Sequence, residues 1–154
     1  GPQAPNLIVL RSLGKFFGLA GARVGFVFAP TEVRTALAER LGPWTLAGPA
    51  RWAAHHALAD TAWQAAQRAR LDAAGARLHR LLQAHGLESC GPALFQYVRL
   101  PHAAQVHAAF ARRGILLRRF DAPPALRFGL PADEPRWARL EAALADCPNL
   151  LKEP

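Results

Sequence analysis

Two short, continuously apolar runs open the chain, at residues 7–10 and 24–29. Runs of this length without alternation are typical of strands buried on both faces of a parallel sheet, and we expect that setting for both. After Pro30, apolar residues recur at every fourth position up to Gly42. This spacing predicts a short amphipathic helix with Thr31 as its N-cap.

The middle of the chain is rich in alanine and has helical spacing. Thr61 and Gln64 form a capping-box pattern, which predicts that one helix ends near Leu58 and that a second begins at Thr61. The second helix keeps an apolar face through residue 85, and Gly86 stands where a C-cap glycine belongs.

Beyond Gly86 the pattern switches between strand alternation and helical spacing. We predict a helix at residues 103–113, a last helix capped by Asp133, and strands at residues 87–90, 93–100, 115–118 and 125–130. In the last helix one face carries Trp137, Leu140, Glu141 and Leu144. This order of elements predicts an α+β layer.

Composition excludes several classes of function. The 154 residues carry a net charge of +8, but the arginines are scattered and no zinc-finger or RNP pattern occurs, so nucleic acid is not a predicted partner. No run is long and apolar enough for a membrane span, and Cys90 and Cys147 fit neither a disulfide framework nor a CxxC pair. We therefore expect a cytoplasmic protein. No metal site is predicted, because the adjacent His55 and His56 point about 100° apart on a helix.

The loop between the first two apolar runs carries one hydroxyl, one lysine and one arginine among several glycines. Lys15 is one of two lysines in the chain, with Lys152, against 17 arginines. A lysine can lose its proton and attack a carbonyl to form a Schiff base, whereas an arginine stays protonated. The glycine and the Ser or Thr that a Walker A loop requires are absent around Lys15. The chain also lacks the Ser-Asp-Asn and Lys-Thr-Gly motifs that accompany Ser-x-x-Lys in acyl enzymes.

The pattern Ser-x-x-Lys-x-x-x-Leu-x-Gly-x-Arg-x-Gly, which begins at Ser12, resembles the cofactor-lysine segment of fold-type I pyridoxal-phosphate enzymes. Within that group it resembles most the threonine-phosphate decarboxylases of cobalamin biosynthesis, and next the histidinol-phosphate aminotransferases. The implied fold is α/β, the C-terminal half of an aspartate-aminotransferase-like enzyme. Residues 1–49 would belong to the large, cofactor-binding domain, and residues 50–154 would form interdomain helices and an α+β small domain.

The resemblance implies a role for several side chains. Lys15 would bind the aldehyde of pyridoxal 5'-phosphate, and Ser12 and Arg23 would bind its phosphate. Arg127, in the run Leu-Arg-Phe-Gly-Leu-Pro, would bind the substrate α-carboxylate, and Arg118 would face the substrate phosphate. Arg119 competes for that last role, and either strand arginine could instead extend into solvent.

The implied activity is that of a carboxy-lyase, the decarboxylation of L-threonine O-3-phosphate to 1-aminopropan-2-ol phosphate. Two alternatives stay open, a histidinol-phosphate-type aminotransferase and a C-terminal fragment that is inactive without its N-terminal half. The implied partners are a phosphorylated amino-acid substrate, the N-terminal half of the same enzyme and a second copy in a homodimer.

Overall fold

The computed structural model describes residues 6–147. Contacts divide the chain into two compact units, Gly1–Ala65 and Ala66–Pro154. The division falls inside one long helix. The domain boundary predicted at residue 49 stays a prediction.

The first unit contains two strands and two helices, and the beginning of a third helix. Its elements are β1 (Val9–Ser12), a 3-10 helix (Ala20–Ala22), β2 (Gly25–Phe28), α1 (Thr31–Leu41), α2 (Gly48–Ala59) and the first residues of α3 (Thr61–Ala84). Leu13, Val24 and Ala54 form its small buried core, with Phe17 and Phe26 packed against it.

The setting predicted for β1 and β2 is wrong. The two strands pair with each other antiparallel, with Val9 opposite Phe28 and Ser12 opposite Gly25. Large apolar side chains on them are exposed, among them Leu10 at 72% and Phe28 at 50%. An apolar run shows that a strand is meant to be covered, but it carries no information on the direction of its neighbour.

Two predicted helix caps are also corrected. Thr31 is the first residue of α1 and follows Pro30 at the N-cap. At the start of α3 the cap is Asp60, whose Oδ1 accepts a hydrogen bond from the backbone N–H of Trp63 at 2.9 Å. Gln64 instead donates to the carbonyls of Ala57 and Leu58 at the end of α2. The break between the two helices is where the sequence predicts it, but different side chains make it.

The second unit is a four-stranded antiparallel sheet with helices packed against one face. Its elements are the rest of α3, β3 (Ser89–Cys90), β4 (Phe95–Arg99), α4 (Ala103–Ala111), β5 (Arg118–Asp121), β6 (Pro124–Gly129) and α5 (Glu134–Ala145). The strand order is β3-β4-β6-β5. The α+β layer predicted for this part of the chain is confirmed.

The core of the second unit lies between the sheet and its helices. Leu126 and Phe128 of β6 are fully buried, and the Phe128 ring meets that of Phe110 of α4 edge to face, with the centroids 6.0 Å apart. Burying a side chain of this size contributes about 1.5–3 kcal/mol. This packing leaves the opposite face of the sheet outward.

Two details of this unit depart from prediction. Strand β5 begins at Arg118 rather than at residue 115, because its ladder with β6 starts where Arg118 pairs with Arg127, although Ile115 and Leu117 before it pack against the core. Helix α5 is capped by Asp133 as predicted, its Oδ1 accepting from the N–H of Arg136 at 3.0 Å, but Glu141 is exposed.

The remaining expectations concern membranes and metals. No helix of residues 6–147 has both the length and the apolar character that crossing a bilayer requires. Nor do those residues bring three potential metal-ligating side chains together. The Nδ1 atom of His56 lies 2.9 Å from the carbonyl oxygen of Trp52, one turn earlier in the same helix.

Candidate active site

Lys15 lies in the loop that connects β1 to the 3-10 helix, and backbone contacts hold the loop on both sides of it. Leu13 is buried, and its carbonyl accepts from the N–H of Leu19 at 2.9 Å. The carbonyl of Lys15 accepts from the N–H of Gly18 at 3.1 Å, and Gly18 has a φ of +68°, which favours glycine. The backbone of Lys15 is therefore fixed while its side chain is exposed.

An aromatic cluster follows the lysine directly. The rings of Phe16 and Phe17 meet edge to face at 4.9 Å, and Phe17 stacks on Trp63 of α3 at 5.7 Å. Contacts of this kind add about 0.5–1.5 kcal/mol each beyond the area they bury. The cluster thus anchors the C-terminal side of the lysine loop to the start of α3.

Ser12 and Arg23 line one cavity of about 210 Å³, together with Gly14, Leu19, Ala20, Val24 and Gly25. The Oγ of Ser12 accepts from the N–H of Gly14 at 3.0 Å, which leaves its hydroxyl proton free to donate. One guanidinium nitrogen of Arg23 donates to the carbonyl of Ala20 at 3.2 Å. The remaining donors suit an anion, because they combine a hydroxyl with a permanently charged planar fork. Lys15 is not part of this lining.

The backbone of Arg23 is left-handed, with φ 54° and ψ 41°. Among residues 6–147, Arg23 is the one residue other than glycine that has a positive φ. Such a conformation costs a residue with a Cβ about 1–2 kcal/mol, and strained residues of this kind cluster at functional sites. The strained residue is one of those that line the cavity with Ser12.

The outward face of the second unit's sheet brings the two predicted substrate arginines together. In the register of β5 and β6, Arg118 stands directly opposite Arg127, and Tyr97 flanks Arg127 on its other side. Directly opposed residues have their Cβ atoms about 4.5–5.5 Å apart, and like charges in that position destabilise a sheet. The pair therefore concentrates positive charge on one small area.

Aromatic rings, and not carboxylates, accompany these two arginines. The guanidinium carbon of Arg127 lies 4.3 Å from the centroid of the Phe95 ring, and that of Arg118 lies 5.8 Å from the centroid of Phe120. The ion pairs found within residues 6–147 include neither arginine. Arg119, whose side chain alternates to the other face, pairs with Asp121 at 3.0 Å.

The sequence interpretation missed both the opposition of Arg118 and Arg127 and the ring of Phe95. A signal for the first was present, because residues 121–124 have the composition of a turn, with two consecutive prolines, and form a two-residue hairpin connection. Pairing Asp121 with Pro124, as the structure does, sets Arg118 opposite Arg127 three residues further along each strand. The contact between Phe95 and Arg127 depends on the register of a strand distant in sequence, which no local pattern shows.

Comparison with known proteins identifies the family. Residues 2–148 match the family described as aminotransferase class I and II. The chain belongs to this family. Among solved structures, the histidinol-phosphate aminotransferase of Clostridium acetobutylicum superposes with a TM-score of 0.81 at 22% identity, over 92% of this chain and 46% of that one. The histidinol-phosphate aminotransferase of Sinorhizobium meliloti, solved in complex with pyridoxal-5'-phosphate, gives a TM-score of 0.74 at 22% identity, over 97% of this chain and 42% of that one. These likenesses confirm the predicted fold class.

Curated relatives within the aminotransferase class I and II family separate into two activities. The threonine-phosphate decarboxylase of Pseudomonas aeruginosa is 57% identical over 91% of this chain, and that of a Sinorhizobium species is 45% identical over 91%. The histidinol-phosphate aminotransferase of Aeromonas salmonicida is 34% identical over 92%. The chain spans 43%, 42% and 41% of these relatives' respective lengths.

Proposed function

We propose that this chain carries the cofactor lysine and the substrate arginines of a pyridoxal-phosphate-dependent carboxy-lyase. Its reaction is the decarboxylation of L-threonine O-3-phosphate to 1-aminopropan-2-ol phosphate, a step of cobalamin biosynthesis. The observation that carries the proposal is the opposition of Arg118 and Arg127, which have no carboxylate partner among residues 6–147 and therefore suit a substrate with two anionic groups. The higher identity to threonine-phosphate decarboxylases supports this activity over that of an aminotransferase.

The residues of the first unit fit the cofactor. The 210 Å³ cavity offers the hydroxyl of Ser12 and the fork of Arg23 to a phosphate, and the exposed amine of Lys15 is available to an aldehyde. When bound, pyridoxal phosphate supplies an electron sink for the charge that develops at the substrate Cα. Ser12 and Arg23 would hold its phosphate, and Lys15 would hold its reactive carbon.

The residues of the second unit would orient the substrate. Arg127 binds the α-carboxylate and Arg118 binds the phosphate, so the two anionic ends determine which bond at Cα is presented for cleavage. The bond between Cα and the carboxylate carbon breaks, carbon dioxide leaves, and Cα gains one proton. We assign that proton to the Nζ of Lys15, since an amine can act as a general acid.

The rest of the enzyme would come from outside this chain. Since the chain spans 43% of its Pseudomonas aeruginosa relative, we propose that an N-terminal half completes the site and that the complete enzyme is a homodimer. The exposed apolar side chains of β1 and β2 support a covering partner. We also propose a cytoplasmic location, which suits the two free thiols, Cys90 and Cys147.

The test uses a complete enzyme that is made by joining this chain after the N-terminal part of the Pseudomonas aeruginosa relative. Incubation with threonine phosphate should release carbon dioxide. Incubation with histidinol phosphate and 2-oxoglutarate should yield no glutamate. Glutamate without carbon dioxide would assign the aminotransferase activity instead, and full activity of this chain alone would refute the need for an N-terminal half.

A second measurement tests Lys15 directly. Borohydride reduction of the cofactor-loaded complete enzyme, followed by peptide mapping, should fix the cofactor to Lys15. Replacement of Lys15 by alanine should abolish the label. Label on Lys152 would overturn the assignment.

A further inference from the structure

Phe95 lies on the same outward face of the sheet as Arg127, at the first position of β4. Its register partner on β6 is Gly129, which has no side chain to occupy the space between the strands. A Cβ added to Gly129 would lie 3.9 Å from Cε1 of Phe95, so the ring covers the glycine at contact distance. From there it reaches the residue diagonally across, Arg127, at 4.3 Å from guanidinium carbon to ring centroid.

A ring and a carboxylate restrain an arginine in different ways. Arg77 is an arginine that a carboxylate restrains, since Glu134 accepts hydrogen bonds from both of its terminal nitrogens. Such a pair occupies the planar fork and neutralises its charge. A ring attracts the same cation but leaves its charge uncompensated and its N–H donors unoccupied. The ring of Phe95 therefore restrains Arg127 without competing with an incoming carboxylate.

We propose that Phe95 is a positioning residue, which holds the guanidinium of Arg127 in the orientation that binds the substrate carboxylate. This inference rests on the proposed function of Arg127. It explains why Phe95, a large aromatic side chain that is only partly buried, stands over a glycine on the outward face of the sheet. Ordering the arginine before the substrate arrives would improve substrate binding, because less side-chain freedom is then lost on binding.

The test is a double-mutant cycle in the complete enzyme, with KM, kcat and thermal unfolding measured for each variant. Phe95→Leu keeps apolar bulk and removes the ring face. It should raise the KM for threonine phosphate about two- to fivefold, as expected for one cation–π contact at a partly exposed site. It should leave kcat unchanged, and Phe95→Tyr should restore the KM. In the Arg127→Gln background, Phe95→Leu should change the KM no further.

A binding measurement removes turnover from the readout. In the Lys15→Ala background, calorimetry should give the same two- to fivefold weakening of O-phospho-L-threonine binding with Phe95→Leu. If Arg127→Gln leaves the KM unchanged, the proposed role of Arg127 fails, and the inference fails with it. If Arg127→Gln raises the KM and Phe95→Leu does not, or acts equally in both backgrounds, only the role of Phe95 is overturned.

Discussion

The left-handed backbone of Arg23 gives the sharpest test of the cofactor site, because comparing two substitutions at this position should separate the effect on stability from the effect on cofactor affinity. Arg23→Gly removes the Cβ that the φ of 54° disfavours, whereas Arg23→Ala keeps it. Neither variant retains the guanidinium, so the difference in their free energies of unfolding isolates the backbone. We expect the glycine variant to be more stable than the alanine variant by about 1 kcal/mol. Urea denaturation followed by circular dichroism measures this difference.

Both Arg23 variants should bind pyridoxal phosphate poorly. A hydrogen bond from a charged donor contributes about 1.5–3 kcal/mol, which corresponds to a loss of about 10- to 100-fold in affinity. The affinity is measured by titrating the complete enzyme with cofactor and following its absorbance. The matched control is Arg40→Ala, an exposed arginine at the end of α1. That control should change the affinity by less than about twofold, since it removes only a distant, screened charge.

Two results would refute this reasoning separately. Equal stability of the glycine and alanine variants would show that Arg23 carries no backbone strain. Cofactor affinity of either variant equal to that of the unmodified enzyme would show that Arg23 does not bind the phosphate. The expected combination, a glycine variant that is more stable than the alanine variant and binds the cofactor equally poorly, requires both that the backbone of Arg23 is strained and that its guanidinium binds the phosphate.

Two further predictions concern the stability of the second unit. Gly75→Ala should lower the free energy of unfolding by about 1–2 kcal/mol, because the added Cβ would lie 2.7 Å from backbone atoms of Ala93, and this overpacking exceeds the gain in helix propensity. The control Gly48→Ala, with no atom within 4 Å, should not be destabilised, and equal losses at the two sites would contradict the packing argument. Arg77 lowers the pKa of the Glu134 carboxyl through their hydrogen bonds. Any stabilisation from the pair is therefore fully present above the ordinary pKa of that carboxyl, and it is lost as the pH falls through the lowered pKa. The difference in stability between Glu134→Gln and the unmodified chain should therefore be present at about pH 7 and shrink as the pH falls below the carboxyl's ordinary pKa, and a difference that does not change with pH would refute this origin.

Local signals in the sequence account for most of the secondary structure. The break between α2 and α3, the end near Gly86 and the cap at Asp133 all depend on residues close together in the chain, which is why they could be predicted. Gly86 has a φ of +77°, which is the left-handed value expected of a glycine that directly follows a helix. The α+β layer follows from the order of these elements.

The predictions that failed depend either on partners distant in sequence or on a choice between adjacent residues that the local pattern leaves open. Residues 7–10 are apolar enough to be covered, but the antiparallel direction of β1 and the exposure of Leu10 are decided by what packs against them. At α3, Asp60 and Thr61 are both good N-cap residues, and one position separates the two choices. Strand β5 begins late because its pairing with β6 extends only as far as Arg118, which depends on the partner strand and not on the apolar pattern of β5 alone.

The candidate site shows the same division between local and distant information. The lysine loop could be recognised because Ser12, Lys15 and Arg23 lie within one short segment. Arg118 and Arg127 could be singled out individually, but their opposition depends on the register of the hairpin that joins them. The aromatic support of Arg127 depends on a third strand.

The structure also changes the meaning of the chain's positive charge. A net charge of +8 spread over 17 arginines predicts only a general attraction for anions. The structure divides these arginines by whether a carboxylate contacts them. Arg77, which also lies over the ring of Trp137, and Arg119 contact carboxylates, which compensate their charge locally. Within residues 6–147, Arg118 and Arg127 contact aromatic rings and no carboxylate. Two guanidinium groups directly opposite each other on one sheet face, without a neighbouring carboxylate, would create a local positive potential that attracts a doubly charged anion. The total charge of the chain does not show where on the surface such an anion would bind.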